Sequence, residues 1–361
     1  MDLKNNIIEK YLKEKYGGKI SNINIEKLGS GVLGTGYSLK FKINNKEKTL
    51  VLKSLFTENL GMDHYSDRAS SLLDAHDNYN KMDNHVKSED VIAQNEDNSL
   101  TSVGNAKEFY ILMEEAKGDD LFKDFNEIKE TKQLKDETKE KILTISNFLV
   151  ELHKNKHKSI PLYRRKIRDT IGSGGSLIGL LDMHPDSAFE QFEKKWMSIV
   201  SKSIIFWRRS RDMHNRLCEI HADYHPGNLW FEDQKLTILD RSRGRFGEPA
   251  DDITAFIINP IMYSLITNGN FEGPFKEIFD IFWNNYFKKT NDKEMRKIMA
   301  PYIAFRVAVV TNPIFYNDES LGGKEKAKFI RTKMINLALN ILKDNEFNPG
   351  KINTYLNFKG E

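Results

Sequence analysis

Cysteine is almost absent from this chain of 361 residues, where Cys218 stands alone. One thiol closes no intrachain disulfide and builds no cysteine-based zinc site, so a reducing compartment suits the chain. Net charge is scarce too, at +3 from 55 basic and 52 acidic residues, and this balance argues against the strongly basic surface on which nucleic-acid binders rely. Long apolar runs are missing. The longest apolar region, Ile253 to Ile266, is broken by Asn259 and Pro260 and falls short of the roughly 20 residues of a membrane span. The segment Met1 to Lys10 mixes acids, bases and amides without a signal-peptide core, and the expectation is a cytoplasmic protein with neither nucleic acid nor membrane as partner. The rest of the composition is that of a globular protein. Its length allows two domains or one large bilobal one, since a single core stops growing near ~250 to 300 residues.

Apolar spacing predicts a helix over Asn6 to Tyr16, ended by Gly17-Gly18, then three strands, Ile23 to Leu28, Tyr37 to Ile43 and Thr49 to Leu55, as an antiparallel meander. Between the first two lies Gly29-Ser-Gly31-Val-Leu-Gly34-Thr-Gly36. A strand on both sides separates this loop from the dinucleotide-binding pattern, which leads into a helix. Lys53 sits on the third strand. A helix is expected over Asp63 to Met82, an irregular segment over His85 to Ser102, and a buried strand over Lys107 to Met113. From Asp119 onward the pattern is helical. It includes Leu134 to His153, an aromatic stretch Phe189 to Met213, Ile253 to Ser264 opened by Asp252, Phe275 to Phe287, Glu294 to Val310 and Lys326 to Leu342. Two features fit no motif: the basic run Tyr163 to Arg168 and the glycine-rich loop that follows it. A solvated basic helix is the plain reading, an anion-binding edge the sharper one.

The chemistry concentrates in Glu219-Ile-His221-Ala-Asp223-Tyr-His225-Pro-Gly-Asn228, followed by the strands Leu229 to Phe231 and Leu236 to Leu239 and then Asp240. Phosphoryl transfer asks for a carboxylate to orient the attacking hydroxyl, and an amide and a second carboxylate to hold metal on the nucleotide phosphates. Asp223, Asn228 and Asp240 can supply them in that order. Two other readings stand beside this one. The alternating His221, Asp223 and His225 could be metal ligands of a hydrolase, although Pro226-Gly227 ends the run, or they could simply knit a turn.

His-x-Asp-x-His-Pro-Gly-Asn, the later Asp240, and Gly247-Glu-Pro249-Ala-Asp-Asp252 together resemble the aminoglycoside phosphotransferase and choline kinase group of the protein-kinase-like fold. That resemblance implies an α+β bilobal fold. Residues 1–113 would form a small antiparallel N-terminal lobe, 114–120 the interlobe linker, and 121–361 a mostly helical C-terminal lobe, with the nucleotide between. It implies ATP and Mg²⁺ as cofactors, with the phosphates on Lys53 and the glycines Gly29, Gly31, Gly34 and Gly36. Adenine would be read by the Glu114 carbonyl and the Ala116 N–H, with Met113 packed near the base. Asp223 would act on the acceptor hydroxyl, His221 would shape its loop, Asn228 and Asp240 would hold the metal, and Asp252 would brace the loop. The chain departs from the kinase pattern in having no Glu between Glu58 and Glu89 to pair with Lys53, which leaves Asp67 or Asp74 as substitutes. The acceptor would be a small molecule with a hydroxyl. Arg241, Arg243 and Arg245 suggest that it is anionic, or they could pair with Asp251 or Glu248. A nucleotide-binding regulatory protein without transferase activity, and a protein-serine kinase, are the competing functions. The second lacks Asp-Phe-Gly and Ala-Pro-Glu.

Overall fold

The structure, a computed structural model, describes residues 4–57, 61–344 and 346–357 and divides into two compact units, Met1–Met113 and Glu114–Glu361. In the first unit, helix α1 (Asn5–Tyr16) turns Ile8, Tyr11 and Leu12 inward, residues three or four apart and therefore on one face. Three strands follow, β1 (Ile20–Ser30), β2 (Gly34–Ile43) and β3 (Lys46–Leu55), antiparallel and in sequence order. Asn44 and Asn45, with φ of 47° and 70°, make the two-residue turn between β2 and β3, a left-handed conformation that asparagine tolerates. Strand alternation sends Leu39 and Phe41 into a core shared with Ile8, Tyr11, Leu12 and Ile20.

The glycine-rich stretch is more regular than its composition suggests. Gly29, Gly34 and Gly36 belong to strands, and only residues 31–33 turn, closed by the Gly31 N–H on the Gly34 carbonyl at 2.9 Å. A β-carbon on Gly34 would meet the Ser54 carbonyl oxygen at 2.0 Å, so the close approach of β2 to β3 requires glycine there. The next helix, α2 (Tyr65–Lys81), forms where expected, but none of its residues is buried. The segment expected to be irregular contains a small antiparallel hairpin, β4 (Ile92–Gln94) with β5 (Leu100–Ser102). Lys107 to Met113, expected as a buried strand, is instead coil, exposed from Phe109 through Met113 with Leu112 fully so. An unbroken apolar run reports a tendency toward burial but names no partner edge, and none of the described strands pairs with it.

The second unit begins with the short strand β6 (Asp119–Asp120) and continues in helices α3 (Leu121–Thr131), α4 (Asp136–Leu152), α5 (Ile160–Gly172), α6 (Leu177–Asp182), α7 (Asp186–Glu190) and α8 (Glu193–Ser210). The stretch Phe189 to Met213 is thus two helices, with Trp196, Ile199 and Phe206 on the buried face of α8. Four short strands come next: β7 (Cys218–Glu219), β8 (Leu229–Glu232), β9 (Lys235–Ile238) and β10 (Phe246–Gly247). After them come α9 (Ala250–Asn268), α10 (Gly273–Thr290), α11 (Met295–Val310), α12 (Lys324–Lys343) and α13 (Ile352–Asn357). β8 and β9 form a hairpin with Leu229 opposite Ile238, β6 adds to β8, and β10 pairs with β7. α9 is apolar nearly all round and buried from Asp252 to Ile266, as befits a helix at the centre of a unit. The class is α+β, a small antiparallel sheet with helices followed by a mostly helical unit, as expected of a kinase-like chain. No helix of the described residues is long and apolar enough to cross a membrane.

Asp90 ties the first unit together. Its carboxylate accepts from the Tyr11 hydroxyl at 2.6 Å, the Lys15 ammonium at 2.9 Å, the Ser102 hydroxyl at 2.9 Å and the Gly104 N–H at 3.1 Å. Burial alone would raise this carboxyl, but the bonds from Tyr11, Lys15, Ser102 and Gly104 hold it below its ordinary value. A carboxylate depressed in the folded state contributes stability that is complete above its unfolded pKa and is lost as pH falls through the folded one. Asp90→Asn is therefore expected to cost the first unit about 1 to 3 kcal/mol at neutral pH, with the difference from the parent shrinking in acid. All four tryptophans lie in the second unit, so the measurement is hydrogen exchange at the β2 amides of the full chain. Equal protection in the two proteins at pH 7 would dismiss the role.

Candidate active site

The site in the second unit is built on Asp252, fully buried in the first turn of α9. Its Oδ2 accepts from the His221 N–H at 2.8 Å and its Oδ1 from the Ala222 N–H at 2.6 Å, while Nε2 of His153, the residue that ends α4, lies 3.1 Å from Oδ2. The other nitrogen of His153 meets the Tyr286 hydroxyl at 2.7 Å. A carboxylate accepts only, so His153 gives Nε2–H to Asp252. Burial would push the Asp252 carboxyl up, but His153 and the His221 N–H hold it below its ordinary value. Between these anchors Ala222 adopts φ of 72°, a left-handed conformation that costs a residue with a β-carbon about 1 to 2 kcal/mol and persists because both flanking groups are held.

The bend at Ala222 sets the direction of the next residues. The His221 ring accepts the Asp223 N–H on Nδ1 at 3.2 Å and donates from Nε2 to the Leu239 carbonyl at 2.8 Å. The Asp223 carbonyl receives the Asn228 side-chain N–H at 3.0 Å. Asn228 is itself placed by a short turn in which His225 Nδ1 takes the Gly227 N–H at 3.1 Å, and burial keeps the His225 imidazole below its ordinary value. Leu239 donates its N–H to the Asn228 carbonyl at 3.0 Å, so the residue preceding Asp240 is tied at both ends to the loop that carries Asp223. Asp240 is exposed, with φ of 56°. Asp223, Asn228 and the turn leading to Asp240 are thus one hydrogen-bonded assembly.

Two arginines face Asp223. The Arg306 side chain, buried in α11, donates from Nη1 to Asp223 Oδ1 at 2.6 Å and from Nη2 to Asp251 Oδ1 at 2.6 Å and the Ala222 carbonyl at 2.9 Å. Arg243 lies 3.4 Å from Asp223 Oδ2, over the Phe305 ring at 5.3 Å, and donates to the Gly175 carbonyl at 2.7 Å. Burial would raise the Asp223 carboxyl, but these two guanidinium groups keep it below the ordinary range and hence ionised at neutral pH. Arg241 and Arg245 turn instead to Glu219, at 3.0 and 3.1 Å, while Glu248 is taken by Arg216. On α5, Arg164, Arg165 and Arg168 pair with Asp212 and Asp169, the plain reading of that basic run, but Lys166 donates to the Arg243 carbonyl and Tyr163 to Glu248.

In the first unit, Lys53 stands opposite Gly36, and Gly36 opposite Gly29, so the lysine is level with the glycine hairpin. Among the described residues Lys53 forms no ion pair with a carboxylate. Asp67 accepts the His64 N–H at 2.8 Å in a capping box of α2, and Asp74 accepts from Asn78 at 3.0 Å. Glu58 lies outside the described residues. Glu114 and Ala116 are in coil, the first exposed and the second half-buried. No group of three His, Cys, Asp or Glu among the described residues could by itself hold a metal ion. The oxygen donors available, the Asp240 carboxylate and the side-chain Oδ1 of Asn228, whose amide N–H has gone to the Asp223 carbonyl, are of the kind a magnesium ion takes alongside water and phosphate.

Sequence reasoning missed Arg306, 83 positions beyond Asp223, although a lone arginine among Ile303, Ala304, Phe305 and Val307 is a signal for a buried ion pair. It also gave His153 no task.

No family model matches the chain, and no curated protein matches it. Solved structures do. The chain is similar to an ADP-bound aminoglycoside phosphotransferase at 16% identity, covering 94% of this chain and 99% of that one with a TM-score of 0.30. It is similar to a spectinomycin phosphotransferase in complex with ADP and spectinomycin at 14% identity, over 96% and 99% of the two chains with a TM-score of 0.35. An ethanolamine kinase of Plasmodium vivax aligns at 12% identity over 97% and 85%, with a TM-score of 0.32.

Asp252→Asn leaves one acceptor oxygen where two N–H groups and an imidazole converge, and turns an amide N–H toward a donor. The variant is expected to lose about 1 to 3 kcal/mol in urea unfolding followed by tryptophan fluorescence. An unchanged midpoint would remove Asp252 from the centre of the site.

Proposed function

We propose that the chain transfers the γ-phosphoryl group of ATP to a hydroxyl of a small molecule. The observation that carries this reading is the shared hydrogen bonding of Asp223, Asn228 and the strand end leading to Asp240, because it ties an ionised carboxylate to two oxygen donors suited to Mg²⁺. In this scheme Asp223 accepts the acceptor hydroxyl in a hydrogen bond, aims its oxygen at the γ-phosphorus, and receives the proton as the bond to phosphorus forms. His221 keeps the loop in shape. Asn228 through its side-chain Oδ1 and Asp240 through its carboxylate hold the metal, which when bound neutralises charge on the phosphates. Within the first unit, Lys53 and the hairpin of Gly29, Gly31, Gly34 and Gly36 are the groups proposed for phosphate, and within the second the backbone at Glu114 and Ala116 is the one proposed for adenine. Asp67 is engaged in the capping box of α2, where its carboxylate accepts the His64 N–H.

A second reading, a nucleotide-binding regulatory chain without transfer, draws on Lys53, which pairs with no carboxylate among the described residues. Against it stands Asp223, ionised and held in one orientation, an arrangement that binding alone does not call for.

Asp223→Asn is expected to bind ATP within about twofold of the parent and to turn over about 10² to 10⁴ times more slowly, measured as ATP consumption with a panel of alcohols. Parent-like turnover would refute the assignment. Asp240→Asn is expected to shift the Mg²⁺ concentration for half-maximal turnover upward by about tenfold, in line with the loss of a metal ligand or its support. An unshifted Mg²⁺ titration would take Asp240 out of the metal site.

A further inference from the structure

We infer that Arg306 positions the Asp223 carboxylate, assigning Oδ1 to the protein and leaving Oδ2 for the acceptor hydroxyl; the inference rests on the phosphotransfer reading above. The guanidinium bridges three groups at once. Nη1 holds Asp223 Oδ1, and Nη2 holds both Asp251 Oδ1 and the Ala222 carbonyl. Ala222 is therefore fixed at both of its polar atoms, its N–H on Asp252 and its carbonyl on Arg306. Asp223 is fixed at three, its N–H on His221, its carbonyl on Asn228 and its Oδ1 on Arg306. What remains is Oδ2, whose cationic neighbour is Arg243 at 3.4 Å, a side chain about one-third exposed, against 4% for Arg306. An acceptor hydroxyl reaching Asp223 meets Oδ2 on the Arg243 side.

A purely stabilising role accounts poorly for this cost. Burying a guanidinium and two carboxylates strips them of hydration, and apolar replacements of such clusters are often as stable or more so. What the planar fork supplies, and a point charge cannot, is a fixed angle between two carboxylates and a carbonyl. Phosphoryl transfer depends on that angle, since a displacement of about 1 Å in a positioned group can cost about 10²-fold in rate.

The test uses the full chain and compares the parent with Arg306→Lys and with the double variant Arg306→Gln, Asp251→Asn, which removes the partner carboxylate so that it is not left buried and unpaired. Turnover is followed with the best acceptor from a panel of glycerol, glycerate, choline and glucose, and nucleotide affinity by calorimetry with MgADP. The expected result is a kcat lowered about 100-fold in the double variant and about tenfold in Arg306→Lys, with the KM for ATP and the MgADP affinity within about threefold of the parent. A folded variant without Arg306 that keeps kcat within about threefold overturns the inference. So does a loss of kcat matched by an equal loss of nucleotide affinity, and so does failure of both variants to fold, which would assign Arg306 to the fold alone. A parent chain that consumes no ATP with any acceptor sinks the phosphotransfer reading itself, whereas an active parent with an active Arg306 variant sinks only this inference.

Discussion

The bond on which the rest of the site depends joins one carboxylate, that of Asp252, to two consecutive backbone N–H groups. Asp252 is out of contact with water, and a bare carboxylate there would be costly, so its ionisation rests on donors that cannot leave: His221 N–H, Ala222 N–H and the His153 ring. The first turn of α9 adds the positive end of the helix dipole. In return the loop is bent at Ala222 into a conformation it would not hold alone. The chain of cause runs from a helix start to a strained residue to the orientation of Asp223, and three separate elements, α4, α9 and α10, supply its anchors through His153, Asp252 and Tyr286.

Around this bond the second unit places two buried arginines that each bridge two acids. Arg216 holds Glu248 at 2.6 Å and Asp292 at 2.7 Å, and Arg306 holds Asp223 and Asp251. Glu248 precedes α9 and Asp251 lies in its first turn, so both forks grip the start of the helix that carries Asp252. Pairs of this kind add little net stability once desolvation is counted. Their effect is to exclude alternative arrangements, because a shift of α9 by one residue would leave several buried charges without partners.

The residues of the assembly were legible because their spacing is local. His221, Asp223, Asn228 and Asp240 fall within one loop and one hairpin, and the alternation of Leu229 to Leu239 announces both strands of that hairpin. The glycine hairpin and the strand bearing Lys53 were legible for the same reason, although the strands reach further into the glycines than their turn-forming character implies. The apolar neighbours of Arg306 signal a buried ion pair, but its partner was not legible, because Asp223 is 83 positions away. Lys107 to Met113 misled in the opposite sense. Its apolar run satisfies the criterion for a buried strand, but that criterion contains no information about which edge would receive it, and its residues are exposed coil. The pairing of Arg241 and Arg245 with Glu219 rather than with Asp251 or Glu248 has the same origin: charge pattern gives candidates, and only tertiary placement chooses among them.

An aspartate held ionised by two guanidinium groups is a weak base, and proton affinity taken alone counts against a part in phosphoryl transfer. The physics of the proposed reaction points the other way. Where the transition state is loose, the attacking hydroxyl has formed little bond to phosphorus and retains its proton until late, so the rate depends less on proton affinity than on the direction in which the hydroxyl oxygen is held. A low proton affinity then helps, since it keeps the carboxylate ionised and available as an acceptor at neutral pH. The cost moves to geometry, and geometry is what the buried groups supply: Asp252 through Ala222, His221 through the Asp223 N–H, and Arg306 through Oδ1. The desolvated charges of the second unit thus fix an angle, while Arg243, partly exposed and braced by the Gly175 carbonyl and the Phe305 ring, faces the remaining oxygen of Asp223.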